Sequence, residues 1–429
     1  MAGDWTSSRG REIMRRAVAA HSRRALWWAL TGCVALLVAG CGGGGGSTTD
    51  ERAAVELMSA RSAARPHVLG GEVAPRGAWP FAVYMSSSVD RDKDGKPDDL
   101  SELPDGEPDE MGCGGSLIGE RWVLTAAHCV WGPLEVRLWI GEEDRPWRGA
   151  NPYVAVGADD DVWVHPDWNP KTFENDVALV RLDRVAPQRA VLLVGPDDDA
   201  IWAAGTRATI IGWGDTSEDG TGSDVLLQAR VPVLSDPTCA QRYPTGSSAG
   251  SFSASTMVCA ASEAGGIDTC QGDSGGPILA ASGAVWFQFG VVSWARGCGR
   301  ALYPGVYARL ETLGDSILDR LEDDSEATVT APTVDTGNLA SLDADGASLE
   351  GAVTPGGLAT YAVVELWPAS TETGTRKAIA YVGAGTSPST VRASFESLEP
   401  ATDYRWRISA VSSLGGVVAG DEKSFTTAP

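Results

Sequence analysis

The chain has 429 residues, a length that exceeds one ordinary domain and leads us to expect two or three. It contains 57 acidic and 34 basic side chains, so its formal net charge is -23 at pH 7. A charge of this sign and size repels a phosphate backbone, which argues against a nucleic-acid partner and favours a soluble, exported acidic protein.

The N-terminal segment, residues 1–40, has the features of a signal peptide, with Met14 as an alternative start. Its uncharged run, 25–40, follows paired arginines and is shorter than the roughly 20 residues that a membrane-spanning helix needs. The run ends V-A-G-C at Cys41, which resembles the lipobox of bacterial lipoproteins, whose cysteine is lipidated. Ordinary cleavage beside an incidental cysteine is the alternative. We favour the lipoprotein, because residues 41–67 begin with a Gly-rich tether before a short pro-segment.

Eight cysteines are present, of which Cys33 lies in the signal and Cys41 is the lipidation candidate. The remaining six would reside in an oxidising compartment, where disulfides persist. Six cysteines allow fifteen pairings, so the sequence alone does not decide among them. A zinc site is the rival interpretation, but no pair among these six has the short two-residue spacing that zinc sites usually show.

Residues 86–112 form an acidic insertion that precedes the motif C-G-G-S at Cys113. Within it, D-R-D-K-D-G-K-P-D-D can wrap several oxygens around a hard cation, with a glycine at the sharp turn. This stretch resembles the calcium loops of EF-hand and thrombospondin type 3 repeats, although Ser101 stands where those loops place a glutamate. A solvated acidic loop is an equally weighted alternative. The predicted calcium ligands are Asp90, Asp92, Asp94 and Asp98.

Between residues 113 and 310, short apolar strands alternate with Gly and Pro turns, as in an all-β double barrel. One such run, W-V-L, leads into L-T-A-A-H-C, which contains His128, one of only four histidines. Asp176 precedes the alternating segment V-A-L-V-R-L, which predicts a half-buried strand directly after the acid.

The stretch 268–277, D-T-C-Q-G-D-S-G-G-P, contains a serine between glycines. Gly272 and Ser274 can direct two backbone N–H groups at one point, where an oxyanion forms during acyl transfer. A nucleophilic serine also needs a base and a group that orients the base, and His128 and Asp176 supply these residue types. Each motif taken singly is more often structural, whereas three in this order favour catalysis.

Together these three motifs resemble the chymotrypsin/trypsin-like serine proteases, which share the chain order His, Asp, Ser. The resemblance covers residues 68–321 and implies a double β-barrel closed by a C-terminal helix. It also implies an endopeptidase in which His128 takes a proton from Ser274 and Asp176 fixes the imidazole tautomer. The N–H groups of Gly272 and Ser274 would form the oxyanion hole.

The resemblance further implies how the domain is cross-linked and activated. A freed α-amino group at Val68 would pair with Asp273, although Val68 follows His67 rather than the Arg or Lys that the family pattern shows. The implied disulfides are Cys113–Cys129, Cys239–Cys259 and Cys270–Cys298.

In this family the residue six positions before the serine, here Asp268, forms the floor of the specificity pocket. A buried carboxylate there selects Arg or Lys, because it needs a cationic partner. Gly305 matches the pocket-wall glycine, and Ser293 with Trp294 matches the strand that pairs with the substrate backbone. Ala295 replaces a family glycine and puts a methyl group at the pocket mouth, which implies a reduced rate or a changed Arg/Lys ratio.

Apolar residues at helical spacing predict a terminal helix that closes the protease domain. They are Leu310, Leu313, Ile317, Leu318 and Leu321. Residues 322–331 are predicted to be a linker. Residues 332–429 alternate strand-like runs, such as 361–367, with Gly and Pro turns, and the run 398–408 resembles the tyrosine corner of fibronectin type III domains, with Tyr404 bonding back to the preceding turn. We therefore expect an immunoglobulin-like β-sandwich, either a binding module or, as we favour, a passive spacer.

The predicted fold class is all-β, and the predicted activity is cleavage of peptide bonds after Arg or Lys in protein or peptide substrates. We expect no required cofactor and a monomeric protein. The predicted location is extracytoplasmic, either secreted or held at the membrane by a lipid on Cys41 before processing. A non-catalytic envelope adhesin that retains a protease scaffold is the competing hypothesis.

Overall fold

The computed structural model describes residues 68–88, 111–131, 135–145, 152–156, 161–218, 220–246, 250–323, 329–343, 345–371 and 373–429. The predicted signal peptide, Cys41, the predicted pro-segment and the four predicted calcium ligands lie outside these described residues. None of the helices in the described ranges is both long and apolar enough to pass through a membrane.

Fifteen strands form the larger part of the structure. They are β1 Glu72–Val73, β2 Ala82–Ser88, β3 Met111–Leu117, β4 Trp122–Thr125, β5 Glu135–Ile140, β6 Tyr153–Val156, β7 Val162–Val164, β8 Ala178–Arg181, β9 Leu192–Leu193, β10 Arg207–Gly212, β11 Leu227–Pro232, β12 Met257–Ala260, β13 Pro277–Ser282, β14 Val285–Trp294 and β15 Gly305–Arg309. One sheet of seven strands has the order β6-β5-β2-β3-β4-β8-β7. A second sheet of eight has the order β1-β11-β10-β13-β14-β15-β12, with β9 parallel to β14.

A common apolar core joins these two sheets. The four residues of β4 are all buried, and β15 is buried along its whole length. Trp122 and Leu179 from the first sheet and Phe289 from the second belong to one continuous cluster of buried side chains. Fully burying side chains of this size contributes roughly 1.5–3 kcal/mol each, so the apolar runs in the sequence suffice to drive both sheets together.

The acidic insertion is narrower than predicted. Strand β2 continues to Ser88 and β3 begins at Met111, with Ser86 opposite Gly112 and Ser87 opposite Met111. A strand ladder is formed by backbone hydrogen bonds, so polar residues such as Ser86 and Ser87 can continue it beyond the predicted boundaries. Both ends of the predicted insertion are therefore strand.

Within the described residues, three α-helices accompany the sheets: α1 Ala127–Val130, α2 Asp236–Arg242 and α3 Leu310–Glu322. Helix α2 begins after Ser235, whose hydroxyl accepts a hydrogen bond from the Thr238 N–H, as expected at a helix N-terminus. The predicted terminal helix is confirmed as α3, which buries Leu310, Leu313, Ile317 and Leu321 against the protein.

The C-terminal part contains eight further strands: β16 Thr333–Leu342, β17 Ala347–Thr354, β18 Thr360–Pro368, β19 Arg376–Gly383, β20 Ser389–Phe395, β21 Asp403–Ser412, β22 Val417–Ala419 and β23 Lys423–Thr426. They form a sheet β16-β17-β20 and a sheet β19-β18-β21-β22, with β23 also on β21. The two sheets enclose their own apolar cluster around Trp406. The Tyr404 hydroxyl accepts a hydrogen bond of 3.0 Å from the Glu399 N–H in the preceding turn.

Candidate active site

His128 and Asp176 are joined by two hydrogen bonds. Asp176 is fully buried two residues before β8, and His128 lies in the short helix α1 with 21% of its side chain exposed. The His128 Nδ1 lies 2.8 Å from Asp176 Oδ2, and the His128 backbone N–H donates to Oδ1 at 3.0 Å. A carboxylate can only accept, so it favours a proton on Nδ1 and leaves Nε2 free to act as a base.

Ser293, at the end of β14, adds a contact that the sequence did not predict. Its hydroxyl donates a 2.5 Å hydrogen bond to Asp176 Oδ2. The buried carboxylate therefore has three donors, of which two come from His128 and one from Ser293. Hydrogen bonds to a buried charge hold it in place and offset part of its desolvation. Ser293 is thus a positioning residue for the His128–Asp176 pair.

Replacing Ser293 by alanine should lower kcat by roughly 10- to 100-fold, because a hydrogen bond to a charged group contributes about 1.5–3 kcal/mol. The effect should appear in kcat more than in KM, since the hydroxyl acts through Asp176. Ser116→Ala is the matched control, because it removes another buried hydroxyl, bonded to Gln288. If Ser293→Ala and Ser116→Ala lowered kcat equally, Ser293 would have no specific positioning role.

The Ser274 loop turns sharply and packs on the segment that leads to His128. Gly272 and Gly275 have φ angles of 90° and 81°, in a region that residues other than glycine rarely adopt. A Cβ atom on Gly275 would lie 2.2 Å from Thr125 Oγ1, and the Gly114 N–H donates to the Ser274 carbonyl at 2.6 Å. Glycine at these positions thus lets the loop from one sheet approach the other, beside α1.

Asp273 is buried directly beside the candidate nucleophile. Its carboxylate accepts hydrogen bonds from the Gly214 N–H at 2.8 Å and the Cys270 N–H at 3.0 Å. Burial raises the pKa of Asp273 to about 7, because no surrounding water stabilises the charged form. A Cβ atom on Gly212 would lie 2.0 Å from Asp273 Oδ1. Gly212 lies in the sequence I-I-G-W-G, residues 210–214. A glycine is therefore needed at this position to make room for the Asp273 carboxyl group.

Asp268 is buried at the closed end of the adjoining loop. Its carboxylate accepts hydrogen bonds from the Thr269 N–H at 2.9 Å and the Gly299 N–H at 3.0 Å, and only 2% of the residue is exposed. Burial raises the pKa of Asp268 to about 7. A carboxylate held by backbone donors alone is suited to a cationic ligand, which would lower that pKa again.

Two residues of β15 line the same carboxyl group. A Cβ atom on Gly305 would lie 2.6 Å from Asp268 Oδ1 and 3.1 Å from the Tyr307 hydroxyl. Gly305 and Tyr307 share one face of the strand because side chains alternate. Any larger residue at Gly305 would fill the space over Asp268. The alternation in Y-P-G-V-Y could have indicated Tyr307, which the sequence analysis did not select.

The sequence matches the protein family described as Trypsin over residues 68–317. The chain belongs to the trypsin family. It is 40% identical over 257 residues to a trypsin from Saccharopolyspora erythraea, an alignment that covers 59% of this chain and 98% of that protein. It is 37% identical over 266 residues to mouse serine protease 56, covering 60% of this chain and 39% of that protein. Serine proteinase stubble from Drosophila melanogaster is 36% identical over 274 residues, covering 60% of this chain. The chain thus spans well under half the length of serine protease 56.

The disulfides in this trypsin-family domain are those that the resemblance implies. They are Cys113–Cys129, Cys239–Cys259 and Cys270–Cys298. The first lies beside His128, and although its two sulfurs cluster with that ring within 4.8 Å, their mutual bond leaves no thiolate for zinc. The third connects the Ser274 loop to the segment that bonds Asp268.

The predicted substrate-binding segment runs from Asp176 to Asp268. It begins at Ser293, which bonds Asp176, and ends at Gly299, which bonds Asp268. Trp294 packs edge-on against Tyr243 with ring centroids 4.7 Å apart, and Ala295 follows it, half-buried. This segment therefore connects the His128–Asp176 pair to the Asp268 carboxylate.

Val68 is completely buried, and the next residue, Leu69, forms a β-bridge with Asp268. The segment after the predicted activation point thus lies beside Asp268. The Asp268 N–H donates to the Leu69 carbonyl at 3.2 Å. Backbone pairing therefore links this segment directly to Asp268.

Proposed function

We propose that this chain is a serine endopeptidase that hydrolyses peptide bonds after Arg or Lys. The observation that carries this proposal is the bonded pair His128–Asp176 beside the Ser274 loop. A buried carboxylate, Asp268, lies at the end of that loop. The family membership supports the same chemistry.

In the proposed mechanism, the Ser274 Oγ attacks the scissile carbonyl carbon while His128 Nε2 takes the hydroxyl proton. The carbonyl oxygen becomes an oxyanion and accepts hydrogen bonds from the Gly272 and Ser274 N–H groups. The C–N bond then breaks, and the leaving amine takes the proton from His128. Water then attacks the acyl carbon while His128 Nε2 takes one of its protons. The bond between the acyl carbon and Ser274 Oγ breaks, His128 gives the proton to Oγ, and the acid product leaves.

The proposed specificity follows from charge. Within the described part of the chain, the Asp268 carboxylate accepts hydrogen bonds from two neutral backbone N–H groups and pairs with no cation. An Arg or Lys side chain of the substrate would supply that cation. Gly305 keeps the space above it open. The Ala295 methyl group narrows the approach and is proposed to alter the ratio of Arg to Lys cleavage.

Binding of a small cation such as benzamidinium should weaken as the pH falls below about 7. The pKa of Asp268 is raised to about 7 in the empty pocket by burial, so protonation removes the charge that attracts the ligand. We expect Kd to rise roughly tenfold for each pH unit below that value, because one proton is then displaced on binding. Calorimetric titration from pH 5 to 8 measures this without turnover, and a pH-independent Kd would contradict it.

We propose that processing before Val68 activates the enzyme. The raised pKa of Asp273 reflects a buried carboxyl group without a cation, and a freed ammonium group would supply one. This proposal includes export, with a lipid on Cys41 that holds the precursor at a membrane until processing releases it.

The acidic insertion is proposed to bind calcium. Residues 332–429 are proposed to be a fibronectin type III-like sandwich, consistent with the hydrogen bond from the Glu399 N–H to the Tyr404 hydroxyl.

The test is to label cells that make the full chain with a fluorophosphonate probe, which reacts with activated serines, and to sequence the labelled species. We expect a labelled protein whose N-terminus is Val68 and whose labelling requires Ser274. A labelled protein that retains a lipid on Cys41 would overturn the activation proposal alone. No labelling after processing at Val68 would overturn the enzyme and favour the non-catalytic adhesin.

A further inference from the structure

Strand β19 is apolar on both faces and contributes to two different cores. Ala378 and Val382 pack into the core of the C-terminal sandwich, whereas Ile379 and Tyr381 pack against a second cluster. That cluster joins the trypsin-family core to Leu358, Ala359 and Ala384 of the C-terminal part. Side chains on a strand alternate between its faces, so the outer face of the sheet β19-β18-β21-β22 is itself a packing surface. The apolar residues on this face lie against the trypsin-family domain.

Tyr361 on β18 extends the same surface. It lies opposite Tyr381 on β19 and Val411 on β21, and all three pack against the cluster that joins the two parts of the chain. The two tyrosine rings meet edge to face, with centroids 5.2 Å apart. The Tyr381 hydroxyl accepts a 3.0 Å hydrogen bond from the Ala190 N–H of the other domain. Aromatic residues with a bonded polar tip are typical of a well-packed interface.

We call the seven-stranded sheet the first barrel and the eight-stranded sheet the second barrel. The loop before β18 contacts the first barrel. Leu358 forms a β-bridge with Gly119, and the Ala359 N–H donates to the Ile118 carbonyl at 3.4 Å. Leu358 is 4% exposed and Ala359 is fully buried. This contact holds the turn between β3 and β4 in place. Strand β4 leads directly to His128.

The turn Ser413–Gly415 reaches the elements of the second barrel. The Leu193 N–H on β9 donates to the Ser413 hydroxyl at 3.1 Å. A Cβ atom on Gly195 would lie 2.5 Å from the Gly415 backbone, and one on Gly314 of α3 would lie 3.1 Å from the Leu414 side chain. Backbones that approach this closely form a close-packed interface between the two parts of the chain.

We propose that the C-terminal sandwich is an intramolecular brace that locks the two barrels of the trypsin-family domain together. The candidate catalytic groups come from both barrels, with His128 and Asp176 on the first and Ser274 on the second. The sandwich grips the β3–β4 turn of the first barrel and β9, which pairs with β14, in the second. Strand β14 ends at Trp294, and the preceding residue, Ser293, bonds Asp176. This assigns the tail a role that a passive spacer would not have.

The test compares full chains that carry Gly195→Val or Tyr381→Ala with the unaltered chain, using scanning calorimetry. The φ of Gly195 lies outside the left-handed region, so valine strains the contact with Gly415 rather than the local backbone. Tyr381→Ala loosens the same interface from the sandwich side. Arg392→Ala is the control, because Arg392 pairs with Glu350 on the exposed face of the other sheet.

We expect the unaltered chain and the control to unfold in one cooperative transition, with equal calorimetric and van't Hoff enthalpies. Both interface variants should show two transitions, and the midpoint of the trypsin-family domain should fall by roughly 5 °C or more. Two independent transitions in the unaltered chain would overturn the brace. So would an unchanged midpoint in both interface variants.

A second readout measures catalysis and rests on the proposed function. In the interface variants, kcat/KM for an Arg substrate should fall roughly 3- to 100-fold, because small displacements between catalytic groups slow the reaction. Calorimetry does not require activity, so an inactive protein with coupled unfolding would overturn the proposed enzyme and leave the brace supported. Two independent unfolding transitions in a fully active chain would overturn the brace and leave the proposed enzyme supported.

Discussion

Replacing Ser274 by alanine should lower kcat by roughly 10⁵- to 10⁶-fold, the scale on which loss of a triad nucleophile acts. The reason is that no other hydroxyl group is held on the turn formed by Gly272 and Gly275, beside α1. Binding and the oxyanion N–H groups remain, so a residual rate above the uncatalysed reaction should persist. The measurement is single-turnover hydrolysis of an Arg ester together with fluorophosphonate labelling.

The control is Ser282→Ala, the same substitution at the end of β13. It should leave kcat and labelling unchanged. His128→Ala combined with Ser274→Ala should cost little more than Ser274→Ala alone, because the two residues act as one unit. A Ser274→Ala protein that hydrolyses the ester as fast as the unaltered chain would end the serine-peptidase interpretation.

Replacing Asp268 by serine should lower kcat/KM for Arg and Lys substrates by roughly 10²- to 10⁴-fold, since losing one partner of a buried charge pair costs about 3–5 kcal/mol. Substrates with a neutral side chain before the scissile bond should be affected far less. The variant also loses the acceptor for the Gly299 N–H, so its unfolding midpoint should be recorded beside the kinetics.

Glu218→Gln provides the matched control for this prediction. Glu218 is paired with Arg300 and is exposed, so its removal subtracts one negative charge without touching the pocket floor. An exposed ion pair contributes about 0–1 kcal/mol, and Arg-substrate turnover should stay within a few fold. If Asp268→Ser behaved like this control, the pocket assignment would be wrong.

Much of the candidate site could be predicted because it depends on short stretches of sequence. The Ser274 loop needs glycines at fixed neighbouring positions, and Gly272 and Gly275 indeed adopt positive φ. Helix α3 was predicted from its spacing and buries four of the five selected residues. The insertion boundary was misplaced, since polar serines at 86–88 obscured a ladder that hydrogen bonding continues.

The sequence by itself determined which residue types stand in the three motifs, which six cysteines can pair, and that two β-rich segments follow one another. These features are local, because turn geometry and side-chain alternation act over a few residues. Only the tertiary structure decided that Ser293 bonds Asp176, since the two residues are 117 positions apart. It likewise decided that the outer face of β18 and β19 packs on the trypsin-family domain. An apolar strand predicts burial of both faces, but the surface that covers it is set by packing between distant segments.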